Sequence, residues 1–349
     1  MSFDVFQPLI ITDIGQSPKT HSEDALNLQI VEANNYLPEG TVVFAIADGI
    51  GLSGIDNYHE ASLYLDAWKQ KERRVASFAK SVVDQVMRAI LQDKMSPTMA
   101  IIHTGIQVAN TVEHKNFIHP PGCAVLAGIV LPGDENGNRR VILSWLGDVQ
   151  ALRISLGEPD FVKPTLYEDK TIQFEHNRGY TQLVTLPHRY SELLRQQNKD
   201  PSFVDNPNLL SALTRCLPAQ LSFYYQTFCQ HNDIDDPKIR LSTFYTQAPP
   251  STQSFILKAN QMLIVGSDGV DWHSHMHFIA QQNNMVLIPD FLGIAQTLKN
   301  LYSVNFYPQL LFGRVIGGYL EGLRGTPPDD TTNIIFPPLV TSLNRPASN

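Results

Sequence analysis

The apolar residues of this chain follow two different periods, and the order in which those periods alternate limits the folds available to it. Residues 25–31 alternate between apolar and polar, which predicts a strand with one buried face. Residues 41–47 are nearly all apolar, the pattern of a strand that is buried on both faces. Apolar residues then recur at helical spacing from Val75 to Ile90, and a second helix is predicted over 97–114 with Pro97 in its first turn.

The rest of the chain repeats this grouping of strands with strands and helices with helices. Residues 134–140, which contain Gly137 between two Asn, predict a hairpin turn. The later strands are predicted at 124–131, 141–146, 255–257, 262–265 and 333–336, and the later helices at 291–301 and 310–323. The polar, Pro-rich stretch 158–253 shows no clear period. Since strict βαβ alternation is missing, we expect an α+β protein with antiparallel sheets and helices packed outside them.

Composition and charge exclude several classes of function. The 349 residues are 43% hydrophobic and 17% charged with a formal net charge of -8, and they contain no basic run typical of nucleic-acid binding. The N-terminus lacks the pattern of a signal peptide, and no segment reaches the roughly 20 apolar residues that span a bilayer. The three cysteines show no C-x-x-C spacing, which favours free thiols in a reducing cytoplasm.

Five acidic turns adjoin predicted strands. They are Glu23-Asp24, Asp48-Gly49, Gly147-Asp148, Ser267-Asp268-Gly269 and Asp329-Asp330. In an antiparallel sheet the end of one strand lies beside the start of its neighbour, so all five turns are expected to meet on a single sheet edge. Each Asp-Gly pair alone is a common turn dipeptide, and five unrelated polar turns are the simpler interpretation.

Gathered carboxylates need a positive partner. Several of them in one cleft repel each other and acquire raised pKa values unless a cation neutralises them. Oxygen ligands without a His or Cys cluster suit hard cations such as Mg²⁺ or Mn²⁺. A Gly after a ligand Asp also lets a backbone carbonyl turn toward the metal. The acidic turns therefore predict a metal centre with carboxylate ligands.

Read in order, these motifs resemble those of the type 2C, metal-dependent (PPM) Ser/Thr protein phosphatases. The resemblance covers about 12–336, nearly the whole chain. The matching segments are Thr12-Asp13-Ile14-Gly15, Ser22-Glu23-Asp24-Ala25, 44–51, Glu60-Ala61-Ser62, Gly122-Cys123-Ala124, 146–151, 188–194, 213–217, 265–270 and 329–332. The family implies an antiparallel β-sandwich flanked by pairs of α-helices, in four layers.

The resemblance also implies a role for each acidic residue and two Mn²⁺ or Mg²⁺ ions as cofactors. Asp48 would bridge both metals, and Asp24 would orient the water that attacks phosphorus. Asp268 and Asp329 would complete the shell of the first metal. Glu23 and the carbonyl of Gly49 would hold the second metal, and Asp148 would contribute to a weaker third site. The implied substrate is a phosphorylated protein, including a Ser/Thr kinase or its target.

Departures from the family pattern fall around the phosphate clamp and the third metal. Lys19 stands where the family has an Arg that holds the phosphate, so the charge is kept but the bidentate fork is lost. Trp272 replaces an acid near the third site, although Asp271 stands one place earlier, and Val149 and Gln150 replace a Ser and an Arg. The alternating His273, His275 and His277 favour a solvated turn over a transition-metal site.

The sequence therefore predicts a cytoplasmic, metal-dependent protein phosphatase that binds neither nucleic acid nor membrane. The alternative is a weak or inactive phosphatase-like protein that binds a phosphoprotein as a regulatory module, and a hydrolase of small phosphoesters is a third interpretation. A single domain is predicted over 1–338, followed by a tail at 339–349. Residues 158–208 are interpreted either as a flap that shapes substrate choice or as a peripheral insertion.

Overall fold

The computed structural model describes residues 8–13, 22–33, 36–50, 65–109, 121–155, 181–190, 193–194, 213–268 and 331–336. Within these ranges the chain forms two five-stranded sheets, in which every strand pairs antiparallel with its neighbours. The α+β class predicted from the sequence is therefore confirmed.

One sheet joins the two ends of the described chain, and the other is formed mainly by its first half. The first has the strand order β1-β10-β9-β6-β7 and the second the order β2-β3-β4-β5-β8. The strands are β1 (Leu9–Asp13), β2 (Ala25–Ile30), β3 (Val42–Ile50), β4 (Gly122–Val130), β5 (Arg139–Leu146), β6 (Gln150–Ser155), β7 (Thr181–Leu183), β8 (Ser251–Leu257), β9 (Gln261–Gly266) and β10 (Thr331–Phe336).

Strand β3 is buried on both faces, as its apolar run predicts. Phe44 and Ile46 lie in the core between the two sheets, where the Phe44 ring is 5.2 Å from that of Phe336. Val43 and Ala45 point the other way and pack against the helices. Successive side chains of a strand alternate between its faces, so a strand with a layer on each side must be apolar throughout.

Helices cover the outer face of the second sheet. They are α1 (Leu65–Leu91), α2 (Pro97–Ala109), α3 (Phe223–His231) and α4 (Pro237–Gln247). The predicted stripe of α1 is confirmed, since Val75, Phe78, Ala79, Val82, Val83, Val86 and Ile90 are all buried. Helix α2 begins at Pro97 as predicted, and 110–114 lie outside the described residues. The described part thus has three layers, and the helices predicted at 291–301 and 310–323 lie outside it.

Several elements were not predicted. Strands β1, β6 and β7 and helices α3 and α4 lack a clear pattern in the sequence, and β8 begins at Ser251, before the predicted start at 255. The hairpin turn at 134–140 is confirmed, although Arg139 and Arg140 already belong to β5. Asp134 shapes this turn, since its Oδ1 accepts hydrogen bonds from the backbone N–H groups of Asn136 and Asn138. The predicted domain boundary and tail remain predictions, and most of 158–208 is outside the described residues.

All three cysteines are free thiols, as predicted. Burial raises the pKa of Cys216 to about 12, and the nearby charge of Asp148 acts in the same direction. The cytoplasmic location remains a prediction. Among the described residues, none of the helices combines the length and the apolar character needed to cross a membrane.

Candidate metal centre

Three of the predicted ligands come together at one point in the fold. The carboxylates of Asp48, Asp148 and Asp268 each offer an oxygen, and these oxygens all lie within 4.8 Å of one another. Asp148 lies between β5 and β6, and Asp268 follows β9, as predicted. Two expectations are corrected: Asp48 lies within β3 instead of after it, and the cluster lies between the ends of two sheets instead of on the edge of one. We call these three residues the aspartate cluster.

The backbone after Asp48 is packed so closely that only glycine fits. A Cβ atom on Gly49 would lie 2.6 Å from the carbonyl oxygen of Glu23 and 2.5 Å from Cγ1 of Val75. Both distances are shorter than van der Waals contact allows. Strands β2 and β3 pair directly through Ala25 and Ala47, and this pairing brings Glu23 beside Gly49. The two residues predicted to share the second metal are therefore neighbours.

The turn that carries Asp148 also depends on a glycine. Gly147 has φ +92°, in the left-handed region, and a Cβ atom there would collide with Ala124. His188 holds this turn from the other side. The N–H of Gly147 donates to Nδ1 of His188 (3.0 Å), and the N–H of His188 donates to the carbonyl of Gly147 (2.8 Å). Since Nδ1 accepts a hydrogen bond from Gly147, it carries no proton, and the neutral ring has its proton on Nε2, 2.8 Å from Oγ of Ser251.

A cation of the chain itself reaches the aspartate cluster. Nε of Arg189 donates to Oδ2 of Asp148 at 2.9 Å, and Nη2 of Arg189 donates to Oδ2 of Asp268 at 2.8 Å. These are charge-assisted hydrogen bonds, which are stronger than neutral ones. Sequence reasoning missed this residue, because nothing in the segment Pro187-His188-Arg189-Tyr190 marks its arginine as functional.

Asp268 is fixed from two directions. Its backbone N–H donates to Oδ2 of Asp48 at 3.1 Å, which joins two members of the aspartate cluster directly. The preceding Ser267 is tied to β10, since its N–H donates to the carbonyl of Thr332 and its Oγ accepts from the N–H of Thr332, both at 3.0 Å. Thr332 of β10 thus lies beside the residue that precedes Asp268, and Asp329 is outside the described residues.

The electrostatics of the aspartate cluster favour a cation. Burial raises the pKa of Asp268 well above its ordinary value, and the charges of Asp48 and Asp148 raise it further. Arg189 acts in the opposite direction but does not cancel the rise. The three carboxylates repel one another, and their oxygen donors suit Mg²⁺ or Mn²⁺. The donor set therefore fits the divalent cations expected from the sequence.

A small cavity of mixed polar and apolar lining lies beside Arg189. Its volume is about 230 Å³, and its lining includes His188, Arg189, Thr214, Arg215, Tyr224 and Ser251. Arg189 both lines this cavity and bonds to Asp148, so it is the residue that connects the cavity with the aspartate cluster.

The other predicted site residues are placed less completely. Asp24 precedes β2, and its N–H donates to Oγ of Ser22 at 3.2 Å. The carboxylates of Glu23 and Asp24 keep their roles as predictions. Lys19, Asp329, Trp272 and the histidines at 273, 275 and 277 lie outside the described residues.

Comparisons with known proteins give likenesses of structure only. No family model matches the chain, and no curated protein sequence matches it. Solved structures do match it. One is the catalytic domain of the Ser/Thr protein phosphatase PstP in complex with two manganese ions, with a TM-score of 0.47 at 14% identity. That match covers 95% of this chain and 96% of the PstP chain. A phosphatase from Toxoplasma gondii has a TM-score of 0.48 at 11% identity, with 94% of this chain and 91% of that chain covered. PppA of Pseudomonas aeruginosa has a TM-score of 0.46 at 13% identity, with 95% and 96% covered.

Proposed function

We propose that this chain is a metal-dependent phosphatase that hydrolyses phosphoserine and phosphothreonine in other proteins. The observation that carries the proposal is the aspartate cluster, in which three separate parts of the chain bring carboxylate oxygens within 4.8 Å of one another. Such a concentration of buried charge is costly unless a cation occupies it. Its members are also the acids for which the sequence resemblance to PPM phosphatases implies metal binding.

In the proposed centre, each residue holds a cation, water or the phosphate. Asp48 would hold both Mn²⁺ or Mg²⁺ ions, Asp268 and Asp329 would hold the first, and Glu23 and the Gly49 carbonyl would hold the second. Asp24 orients the attacking water, and Lys19 attracts the phosphoryl oxygens as a point charge. Bound divalent cations would supply two effects, a lowered pKa of water and neutralised charge on the phosphoryl group. The cavity beside Arg189 offers room for residues next to the phosphorylated side chain.

A second candidate is a phosphoprotein-binding module without turnover. The observation that favours it is Arg189, which already neutralises part of the aspartate cluster through Asp148 and Asp268. A centre that is partly compensated from within needs bound cations less. The two candidates differ in one measurable property, which is release of phosphate.

The experiment that tests the proposal is hydrolysis of a phosphothreonine peptide by the purified full chain. We expect phosphate release with Mn²⁺ or Mg²⁺ and its loss in EDTA, because the attacking water depends on the cations. Asp93→Asn removes a carboxylate away from the aspartate cluster and should release phosphate as the parent does, since Asp93 is an exposed aspartate that follows α1. No release with any metal, together with retained binding of the phosphopeptide, would favour the binding module. Full activity in EDTA would overturn the metal mechanism.

A further inference from the structure

Arg189 bonds to the aspartate cluster in a way that a mobile surface arginine does not. Two different nitrogens of its guanidinium reach two different aspartates, at 2.9 Å for Asp148 and 2.8 Å for Asp268. The side chain of Arg189 is only 12% exposed, and that of Asp148 only 9%. The ion pairs are therefore largely shielded from water, where they are screened less than surface pairs are.

The backbone around Arg189 is fixed on both sides. His188 exchanges hydrogen bonds with Gly147, directly before Asp148, and the carbonyl of His188 accepts from the N–H of Thr214 at 2.7 Å. Arg189 itself forms an isolated antiparallel bridge with Leu213. The same contacts that shape the turn of Asp148 therefore deliver the guanidinium to its carboxylate.

The guanidinium uses oxygens that a metal ion would use. Oδ2 of Asp148 and Oδ2 of Asp268 both accept from Arg189, so a cation that approached these oxygens would have to displace a fixed positive charge. The two ion pairs of Arg189 are with Asp148 and Asp268, and each of these carboxylates keeps a second oxygen. Arg189 thus occupies the Asp148 side of the aspartate cluster.

We propose that Arg189 is a built-in cation that takes the place of a metal ion on the Asp148 side of the aspartate cluster. Arg189 acts as a positioning residue. Its hydrogen bonds to Asp148 and Asp268 keep a further metal ion from binding these two carboxylates on that side, so that bound metal lies on the side of Asp48. This inference rests on the proposed metal centre but not on turnover. It also gives a structural reason for a weak third site that is independent of Trp272.

The test is the number of Mn²⁺ ions bound per chain, measured by equilibrium dialysis at fixed free Mn²⁺. Arg189→Ala should bind one more Mn²⁺ than the parent chain, and Arg189→Lys, which keeps the charge, should bind the same number as the parent. The additional ion should disappear in the double variant Arg189→Ala with Asp148→Asn. Arg140→Ala is a matched control, because Arg140 is exposed and bonds to Ser254 away from the cluster.

A second measurement guards against misfolding. Mn²⁺ should raise the melting temperature of Arg189→Ala more than that of the parent, because a ligand stabilises the state that binds it. If Arg189→Ala does not fold, Arg189→Gln tests the same loss of charge with a longer side chain. An equal Mn²⁺ count in the parent and in the folded neutral variant overturns the inference. If Arg189→Ala binds the additional ion but the parent chain releases no phosphate, the proposed activity is overturned and the inference stands.

Discussion

Asp48 and Asp148 face the same point in the fold, but the chain holds them by different means. Asp48 lies inside a fully paired strand, and the glycine after it is pressed against the backbone of Glu23. Asp148 lies on a turn with a left-handed glycine, and its carboxylate bonds to Arg189. One side is thus built by close backbone packing and the other by hydrogen bonds and an ion pair. The difference teaches that on the Asp148 side a fixed positive charge, the guanidinium of Arg189, belongs to the architecture of the site.

The largest expected effect is the loss of kcat/KM when the carboxylate of Asp48, and in a separate variant that of Asp148, is replaced by an amide. Asp48→Asn should lower kcat/KM for a phosphothreonine peptide by on the order of 10³-fold, about 4 kcal/mol of transition-state stabilisation, because Asp48 is proposed to contact both cations. Asp148→Asn should cost on the order of tenfold or less, because its carboxylate is already paired with Arg189. The measurement is kcat/KM at one Mn²⁺ concentration for both variants and the parent. Equal losses would contradict the asymmetry between the two sides.

Periodicity predicted the elements that are buried on regular faces. The stripe of α1 and the apolar run of β3 were sufficient to predict these two elements, because the spacing of apolar residues alone shows which faces of each element are buried. Strand β6 was missed because Gln150 and Arg153 are polar and nevertheless buried, which breaks the expected pattern. The order of the acidic motifs indicated three residues that the structure brings together, although β3 ends three residues later than predicted.

Helices α3 and α4 and the residue Arg189 show why the other parts of the fold and the site could not be predicted from the sequence. Helix α4 has a signal in the sequence, Asp236 before Pro237, and Oδ1 of Asp236 caps the helix by accepting from the N–H of Lys238. Helix α3 begins at a similar cap, Ser222, but both helices are too short for a clear apolar stripe. Arg189 has no local signal, because its position depends on hydrogen bonds between His188 and a turn 41 residues earlier.

The second prediction tests the close packing on the Asp48 side. Gly49→Ala should lower the free energy of unfolding by about 1–3 kcal/mol, because the new methyl group would overlap the carbonyl of Glu23 and Cγ1 of Val75. The displaced backbone should also weaken Mn²⁺ binding, since Glu23 and the Gly49 carbonyl are proposed to share one metal. Urea denaturation gives the first quantity, and calorimetric titration with Mn²⁺ gives the second.

A matched glycine separates these two effects. Gly40 precedes β3 at the end away from the cluster, with φ +81° and only Pro132 Cγ within reach of an added Cβ atom, at 3.8 Å. Gly40→Ala should therefore cost stability through backbone conformation alone, by about 1 kcal/mol. Its Mn²⁺ affinity should equal that of the parent. If Gly49→Ala also keeps the parent's Mn²⁺ affinity, Gly49 serves packing and not the metal.

The smallest expected effect concerns pH and the Asp148 side, where His188 holds the turn in its neutral form. Burial lowers the pKa of His188 well below the ordinary value of 6.5, and the charge of Arg215 acts in the same direction. The unfolded chain therefore binds a proton at His188 more readily than the folded chain does. Above pH 6.5 both states are neutral and this group has no effect, and as pH falls below 6.5 toward the lowered pKa, folding stability is lost. A proton on Nδ1 would also break the hydrogen bond from Gly147.

His188→Gln is the variant that isolates this contribution, because its amide can accept from Gly147 and donate to Ser251 but cannot titrate. We expect the melting temperature of the parent, measured in EDTA, to fall more between pH 7.5 and pH 5 than that of His188→Gln. The carboxylates titrate in both proteins, so their contribution largely cancels in the difference. Parallel pH profiles would mean that His188 does not titrate with folding. If the melting temperature falls more steeply with pH in the parent than in His188→Gln, the turn of Asp148 depends on the neutral ring of His188. If Gly49→Ala shows the same dependence on pH as the parent, this pH sensitivity is confined to the Asp148 side.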